Sequence, residues 1–163
     1  MSTAVLSIGS NLGDRLALLQ AAADAFRPWL RALSPVYRTP PWGPVPQGDY
    51  LNAVLIVDDA AADPPTWLQR AHAAEQAAGR TRDVRWGPRT LDVDVVDVDG
   101  TESADPVLTL PHPRAAERAF VLVPWLAVRP EAVLSGRPVA DLLAALPADE
   151  VAEVRVCPDL ALR

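Results

Sequence analysis

Between Glu75 and Asp94 the chain reads EQAAGRTRDVRWGPRTLDVD, which sets Arg80, Arg82, Arg85 and Arg89 just ahead of two carboxylates, Asp92 and Asp94, in a D-x-D. The whole chain carries a formal net charge of -6, so this run of cations opposes the global balance. Read as a strand, LDVDVV alternates: Asp92 and Asp94 share one face while Leu91, Val93 and Val95 line the other. Adjacent carboxylates repel. A divalent cation removes the repulsion, and Mg²⁺ favours one or two carboxylates with water and phosphate oxygens completing its octahedron. The arginines offer planar, bidentate-capable groups to the same polyphosphate. The pattern points to Mg²⁺-dependent phosphoryl chemistry. The plainer alternative is a solvated Arg-rich turn beside an edge strand; Gly79, Gly87 and Pro88 bracketing the arginines, with Trp86 among them, weigh against it.

Composition narrows the field. With 163 residues, half of them apolar, the chain is expected to form a single domain over 1–163 with a sizeable core. No run approaches the roughly 18 apolar residues of a membrane span. The opening MSTAVLSIGS has no basic segment and reads as a strand, so a cytoplasmic protein without a signal peptide is expected. The one cysteine, Cys157, has no internal partner and reads as packing or tail. A pI near 4.8 argues against nucleic acid and anionic membranes as partners. All fifteen basic residues are arginine, which excludes a lysine-dependent P-loop and Schiff-base chemistry.

Several elements must position the D-x-D. Thr3 to Ile8 is a strand ended by Gly9-Ser10-Asn11, and Asp14 or Asn11 can cap a helix carrying Leu16, Leu19, Ala22, Ala23, Phe26 and Leu30. Leu33 to Arg38 reads as a second strand. TPPWGPVPQGD follows, a Pro-rich loop of about a dozen residues, long enough to suggest function. With Trp42 inside it and Tyr50 at its end, an aromatic-lined pocket is one reading and a stiff surface loop the other. Asn52 to Val57 is a buried-type strand whose Asn52 needs polar partners. Asp63-Pro64-Pro65 opens a helix ending at Gly79, on which His72 and Glu75, three apart, share a face. After Leu91 to Val98, Asp99-Gly100 signals a hairpin into an edge strand around Val107 to Leu110. PHPRAAERAF then carries His112, Arg114 and Arg118, and FVLVPWLAV and VADLLAAL read as two short helices. The order β-α-β-β-α-β predicts an α+β, ferredoxin-like sandwich with a mainly antiparallel sheet and C-terminal helical additions.

GSNLGDR (9–15), YRTPPWGP (37–44), DYLNAV (49–54), GRTRDVRWGPRTLDVDVV (79–96) and PHPRAAERAFVLVPW (111–125) together resemble the 6-hydroxymethyl-7,8-dihydropterin pyrophosphokinases of folate biosynthesis. WGPRTLDVD is highly specific; GSN is not. The resemblance implies transfer of pyrophosphate from ATP to the pterin hydroxymethyl group, releasing AMP. It implies Asp92 and Asp94 as ligands of two Mg²⁺ ions, and Arg80 and Arg89 as phosphate contacts through the transfer, with Arg82 assisting. Asp94, or a metal-activated hydroxyl, is the candidate base. His72, Glu75, Trp86, Thr109, His112 and Arg118 match positions that serve ATP. The pterin slot would lie near Tyr50 and Phe120, with Thr39, Pro40, Pro41, Trp42, Asn52 and Trp86 around it. ATP and the pterin are thus the expected partners of a monomer. Two positions depart from the pattern: Val107 stands where some members have arginine, and Pro113 where they have tyrosine.

Two other classes fit parts of the chain. A polymerase-type, two-metal nucleotidyltransferase also combines Gly-Ser with D-x-D, but there the two lie roughly a dozen residues apart, whereas Gly9-Ser10 and Asp92 are separated by most of this chain. A non-catalytic ferredoxin-like ligand-binding module would not require the D-x-D beside four arginines. AMP, inorganic pyrophosphate or no product from ATP separates the three.

Overall fold

The computed structural model describes residues 2–41, 44, 46–79 and 90–163. In chain order it builds β1 (Ser2–Ser10), α1 (Arg15–Ala25), β2 (Leu30–Leu33), β3 (Tyr37–Thr39), β4 (Tyr50–Asp59), α2 (Pro64–Ala77) and β5 (Asp92–Val98). There follow β6 (Ser103–Asp105), β7 (Leu108–Leu110), α3 (Ala119–Val128), β8 (Val133–Leu134), β9 (Arg137–Pro138), α4 (Val139–Ala144), α5 (Ala148–Ala152) and β10 (Arg155–Val156). The main sheet runs β10-β3-β4-β1-β5, with β2 also on β4, and every pairing is antiparallel. This is the expected ferredoxin-like arrangement: α1 carries the chain from β1 out to β2 and β3 on the far side of β4, β4 returns beside β1, and α2 crosses to β5 on the other side of β1.

Alternation along the strands sorts the two faces. Ala4, Leu6, Ile8, Leu55, Val57, Val93 and Val95 pack under α1 and α2 with Leu19, Phe26, Trp67 and Ala71. Val5, Val54, Ile56 and Val96 face the other way, onto Val121, Leu122 and Trp125 of α3 and Leu142 of α4. The C-terminal additions therefore form a second cover. Under α2, Trp67 is fully buried and donates from Nε1 to Ser2 Oγ at 2.9 Å. Arg70 lies 3.6 Å over the Trp29 ring and pairs with Asp59 at 2.8 Å.

The helix starts follow their caps. Asp63 accepts from Thr66 N at 2.9 Å ahead of α2, and Asp14 accepts from Ala17 N at 3.2 Å in α1. Other expectations needed correction. Leu30 begins β2 instead of ending the first helix, because Arg27–Trp29, with Pro28 inside it, forms a 3₁₀ turn. The strand expected over 33–38 is divided. Pro35 has no amide hydrogen, and Ser34 uses its hydroxyl to accept from Val54 N at 2.8 Å, so pairing lapses between β2 and β3. Asp99 (φ 52) and Gly100 (φ 69) make the expected tight turn, yet the chain leaving it pairs β6 with β7, and among the described residues neither pairs with β5, which it rejoins only where His112 N donates to Val96 O. Among the described residues no helix is long and apolar enough to cross a membrane.

Candidate active site

β1 lies between β4 and β5, and the face under α3 carries a row across all three strands. Gly9 stands opposite Asn52 of β4 on one side and opposite Asp92 of β5 on the other. The next row is Val54, Ser7 and Asp94. Asp92 and Asp94 therefore share a face, as the alternation predicted, with Val93 turned into the core beneath α2. Both carboxylates are half-buried. Asp94 Oδ2 lies 3.8 Å from Arg118 Nη1, and the Arg118 guanidinium sits 5.5 Å over the Phe120 ring. One short path thus joins the D-x-D to an aromatic side chain expected at the pterin.

Glu75 and His72, expected to share a helix face, part company. His72 is exposed, whereas Glu75 is 4% exposed and turned beneath β5. Glu75 Oε2 accepts from Val93 N at 3.0 Å. Val93 is the residue between the two aspartates, on the strand that ends the main sheet, so Glu75 ties down the peptide that aims both carboxylates. Sequence spacing gave no sign of this role.

His112 is anchored through its amide to Val96 O at 2.8 Å. Its Nδ1 accepts from Arg114 N at 3.2 Å, so the neutral ring carries its proton on Nε2. Burial first, then the Arg118 and Arg114 charges, push its pKa down from 6.5 to about 4. At neutral pH it is an uncharged donor. Thr109 on β7 is half-buried and donates to Asp105 O at 3.0 Å. Val107, the departure from the family pattern, is 74% exposed.

Across β1 the expected pterin residues gather. Thr39 pairs with Tyr50 in the β3–β4 register, and Asn52 Nδ2 donates to Thr39 Oγ1 at 2.6 Å, with Asn52 3% and Thr39 5% exposed. Thr39, Pro40, Pro41 and Phe120 line one open pocket of ≈ 220 Å³. Its wall also contains Glu117, from the PHPRAAERAF segment, and Glu150, Glu153 and Val154, brought in by the C-terminal segment that ends with β10 on β3. No motif marked these last three, because only long-range packing places them there.

Gly9 and Ser10 extend β1, and Asn11 just beyond them holds a neighbouring loop. Asn11 Nδ2 donates to Gln47 Oε1 at 2.6 Å and to Gly48 O at 3.1 Å, and Arg15 Nη1 donates to Asp49 O at 2.9 Å. Asn11 thus pins the Pro-rich loop, leaving Asp14 as the helix cap. Arg80, Arg82, Trp86, Arg89 and Trp42 lie outside the described residues.

The donor set fits Mg²⁺. Asp92 and Asp94 supply hard carboxylate oxygens, and among the described residues no three of His, Cys, Asp or Glu gather into a closed metal site. A two-carboxylate set leaves positions for water and phosphate oxygens.

A family model described as 7,8-dihydro-6-hydroxymethylpterin-pyrophosphokinase (HPPK) matches residues 5–130. The chain is 52% identical over 163 residues to the 2-amino-4-hydroxy-6-hydroxymethyldihydropteridine pyrophosphokinase of Mycobacterium tuberculosis, covering 91% of this chain and 87% of that one. It is 43% identical over 150 residues to the enzyme of the same name from Methylorubrum extorquens, covering 90% and 94%. A crystal structure of Plasmodium falciparum HPPK-DHPS with pteroate matches 88% of this chain with a TM-score of 0.67 at 12% identity, a likeness of fold. This chain spans 44% of that longer one. The family match across most of the chain, with relatives of such identity aligned nearly end to end, places the chain in the 7,8-dihydro-6-hydroxymethylpterin-pyrophosphokinase family.

Proposed function

We propose that this chain transfers the pyrophosphoryl group of ATP to the hydroxymethyl group of 6-hydroxymethyl-7,8-dihydropterin, giving the pterin pyrophosphate and AMP for folate biosynthesis. The observation that carries this reading is the row Asn52–Gly9–Asp92, which sets a buried amide side chain and a carboxylate of the D-x-D on one sheet face, two strands apart. Neighbouring strands lie about 4.8 Å apart, so Asn52 and Asp92 backbones are separated by roughly 9.6 Å. That span suits a heterocycle held on one side and a phosphate chain on the other, with the reacting atoms between.

Each side chain then has a task. Tyr50 and Phe120 flank the pterin ring, while Asn52, Thr39 and the backbone at Pro40, Pro41 and Trp42 read its polar edge, with Trp86 closing over it. Asp92 and Asp94 would hold the Mg²⁺, two ions by the family resemblance, which would supply positive charge to the phosphate oxygens. Arg80, Arg82 and Arg89 grip the same phosphates, and Arg118, already beside Asp94, extends that cationic wall. His112 offers its Nε2–H as an uncharged donor, so it adds directionality without charge. His72 and Thr109 serve the nucleoside end, and Glu75 acts through β5. Asp94 is the group placed to accept the pterin hydroxyl proton as that oxygen attacks the β-phosphorus in line and the bond from the β-phosphorus to the oxygen carried away by AMP breaks. Such positioning and charge stabilisation accounts for most phosphoryl-transfer catalysis, on the order of 2–4 kcal/mol per preorganised donor.

The enzyme works as a monomeric, cytoplasmic single domain over 1–163, free of nucleic acid and membrane; gel filtration at micromolar concentration checks the first. A product assay with ATP, Mg²⁺ and the dihydropterin tests the reaction. Wild type should form AMP and the pterin pyrophosphate, and Asp94→Asn should lose at least about 100-fold in kcat, as expected for a group acting only in the transition state. Pyrophosphate in place of AMP indicates nucleotidyl transfer, and binding without product indicates a ligand-binding module.

A further inference from the structure

Gly9 occupies the middle of the row joining the two halves of the site. It lies within β1 in extended backbone that any residue adopts, so no φ requirement explains a glycine there. What a side chain would meet does. A Cβ at Gly9 would stand 3.0 Å from Asn52 Oδ1 and 3.4 Å from Tyr50 Cδ1. Those two atoms belong to the side chains assigned to the pterin. Asn52 has little room to yield: it is 3% exposed and its Nδ2 is held by Thr39 Oγ1 at 2.6 Å. On the far side of Gly9, in the same row, is Asp92.

We infer that Gly9 is a positioning residue of the pterin slot: its bare backbone forms the floor that lets Asn52 and Tyr50 lie against β1. The inference rests on the pterin reading above. A methyl group at this place pushes the Asn52 amide and the Tyr50 ring outward by a few tenths of an ångström, tilting the groups that orient the heterocycle. The nucleotide side, on β5 and beyond, is not touched.

The test is Gly9→Ala, alone and combined with Asn52→Ala, which removes the nearest obstructing atom. Binding of 6-hydroxymethyl-7,8-dihydropterin is measured by calorimetry in the presence of Mg²⁺ and α,β-methylene-ATP, and binding of that analogue is measured separately. Gly9→Ala should weaken pterin binding by about 10- to 100-fold, the scale of a misplacement near 1 Å or less at a positioning group. Analogue affinity should stay within about twofold, and in the Asn52→Ala background the same change should cost under about threefold, as coupling through a shared contact requires. Equal losses in both backgrounds, an unchanged pterin affinity, or loss of analogue binding through misfolding would each overturn the inference. If wild type itself binds no pterin, the functional reading fails and not this one alone.

Discussion

Replacing Glu75 by alanine should loosen the strand that carries Asp92 and Asp94, and the size of the effect follows from the contact it breaks. Glu75 is 4% exposed, and its carboxylate accepts from the Val93 amide at 3.0 Å in a buried setting. Hydrogen bonds involving a charged group contribute about 1.5–3 kcal/mol, and an abandoned buried donor costs about 1–3 kcal/mol. Because the alanine leaves Val93 N–H without its partner and a space beneath β5, a loss of about 2–4 kcal/mol is expected. For a chain of this length that corresponds to roughly 5–15 °C in Tm. Glu75→Gln keeps an oxygen in place and should lose only about 1 kcal/mol. Urea unfolding gives these differences. Titration with Mg²⁺ and α,β-methylene-ATP should show a several-fold weaker complex for alanine and near wild-type binding for glutamine. An alanine variant within about 0.5 kcal/mol of wild type, the range of ordinary surface changes, would refute the strand-fixing role. Nucleotide binding lost equally in both variants would instead mark a carboxylate that touches the ligand.

Two further outcomes follow from the same geometry. His112 gives up its proton near pH 4 in the folded chain but near 6.5 when unfolded, so between these values the unfolded chain binds more protons and stability falls as pH falls. His112→Gln should therefore lose less stability than wild type between pH 7.5 and 4.5 in urea unfolding, and an identical loss would contradict the buried, neutral ring. Asn11→Ala releases Gln47 and Gly48, so limited proteolysis between residues 44 and 49 should quicken while cleavage elsewhere is unchanged.

What was readable from the chain depended on how local the cause was. Asp63 and Asp14 announced their helices, because a cap acts within three residues, and LDVDVV announced its two faces, because pleating acts within two. The break between β2 and β3 was hidden: it depends on a hydroxyl at Ser34 reaching Val54, across the sheet. The inward turn of Glu75 was hidden in the same way, since helical spacing groups it with His72 and only the docking of α2 on β5 separates them. In the site, motif residues such as Asp94, Thr39 and Phe120 were recognisable from their neighbours in sequence. Glu150 and Glu153, in the pocket wall, carried no pattern at all.

The central place of β1 also has a consequence for how the molecule comes together. Its partners are drawn from far along the chain: Thr3 N donates to Asp99 Oδ1, 96 positions away. Closing a loop of that length costs entropy before any pairing rewards it, so β5 is expected to dock late, after β1, β4 and their helices have formed a nucleus. Asn52 and Gly9 belong to that early half, and Asp92 and Asp94 to the late one. A folding intermediate of this chain would therefore hold Gly9 beside Asn52 before Asp92 and Asp94 reach β1, and the candidate site would be completed in a single final step.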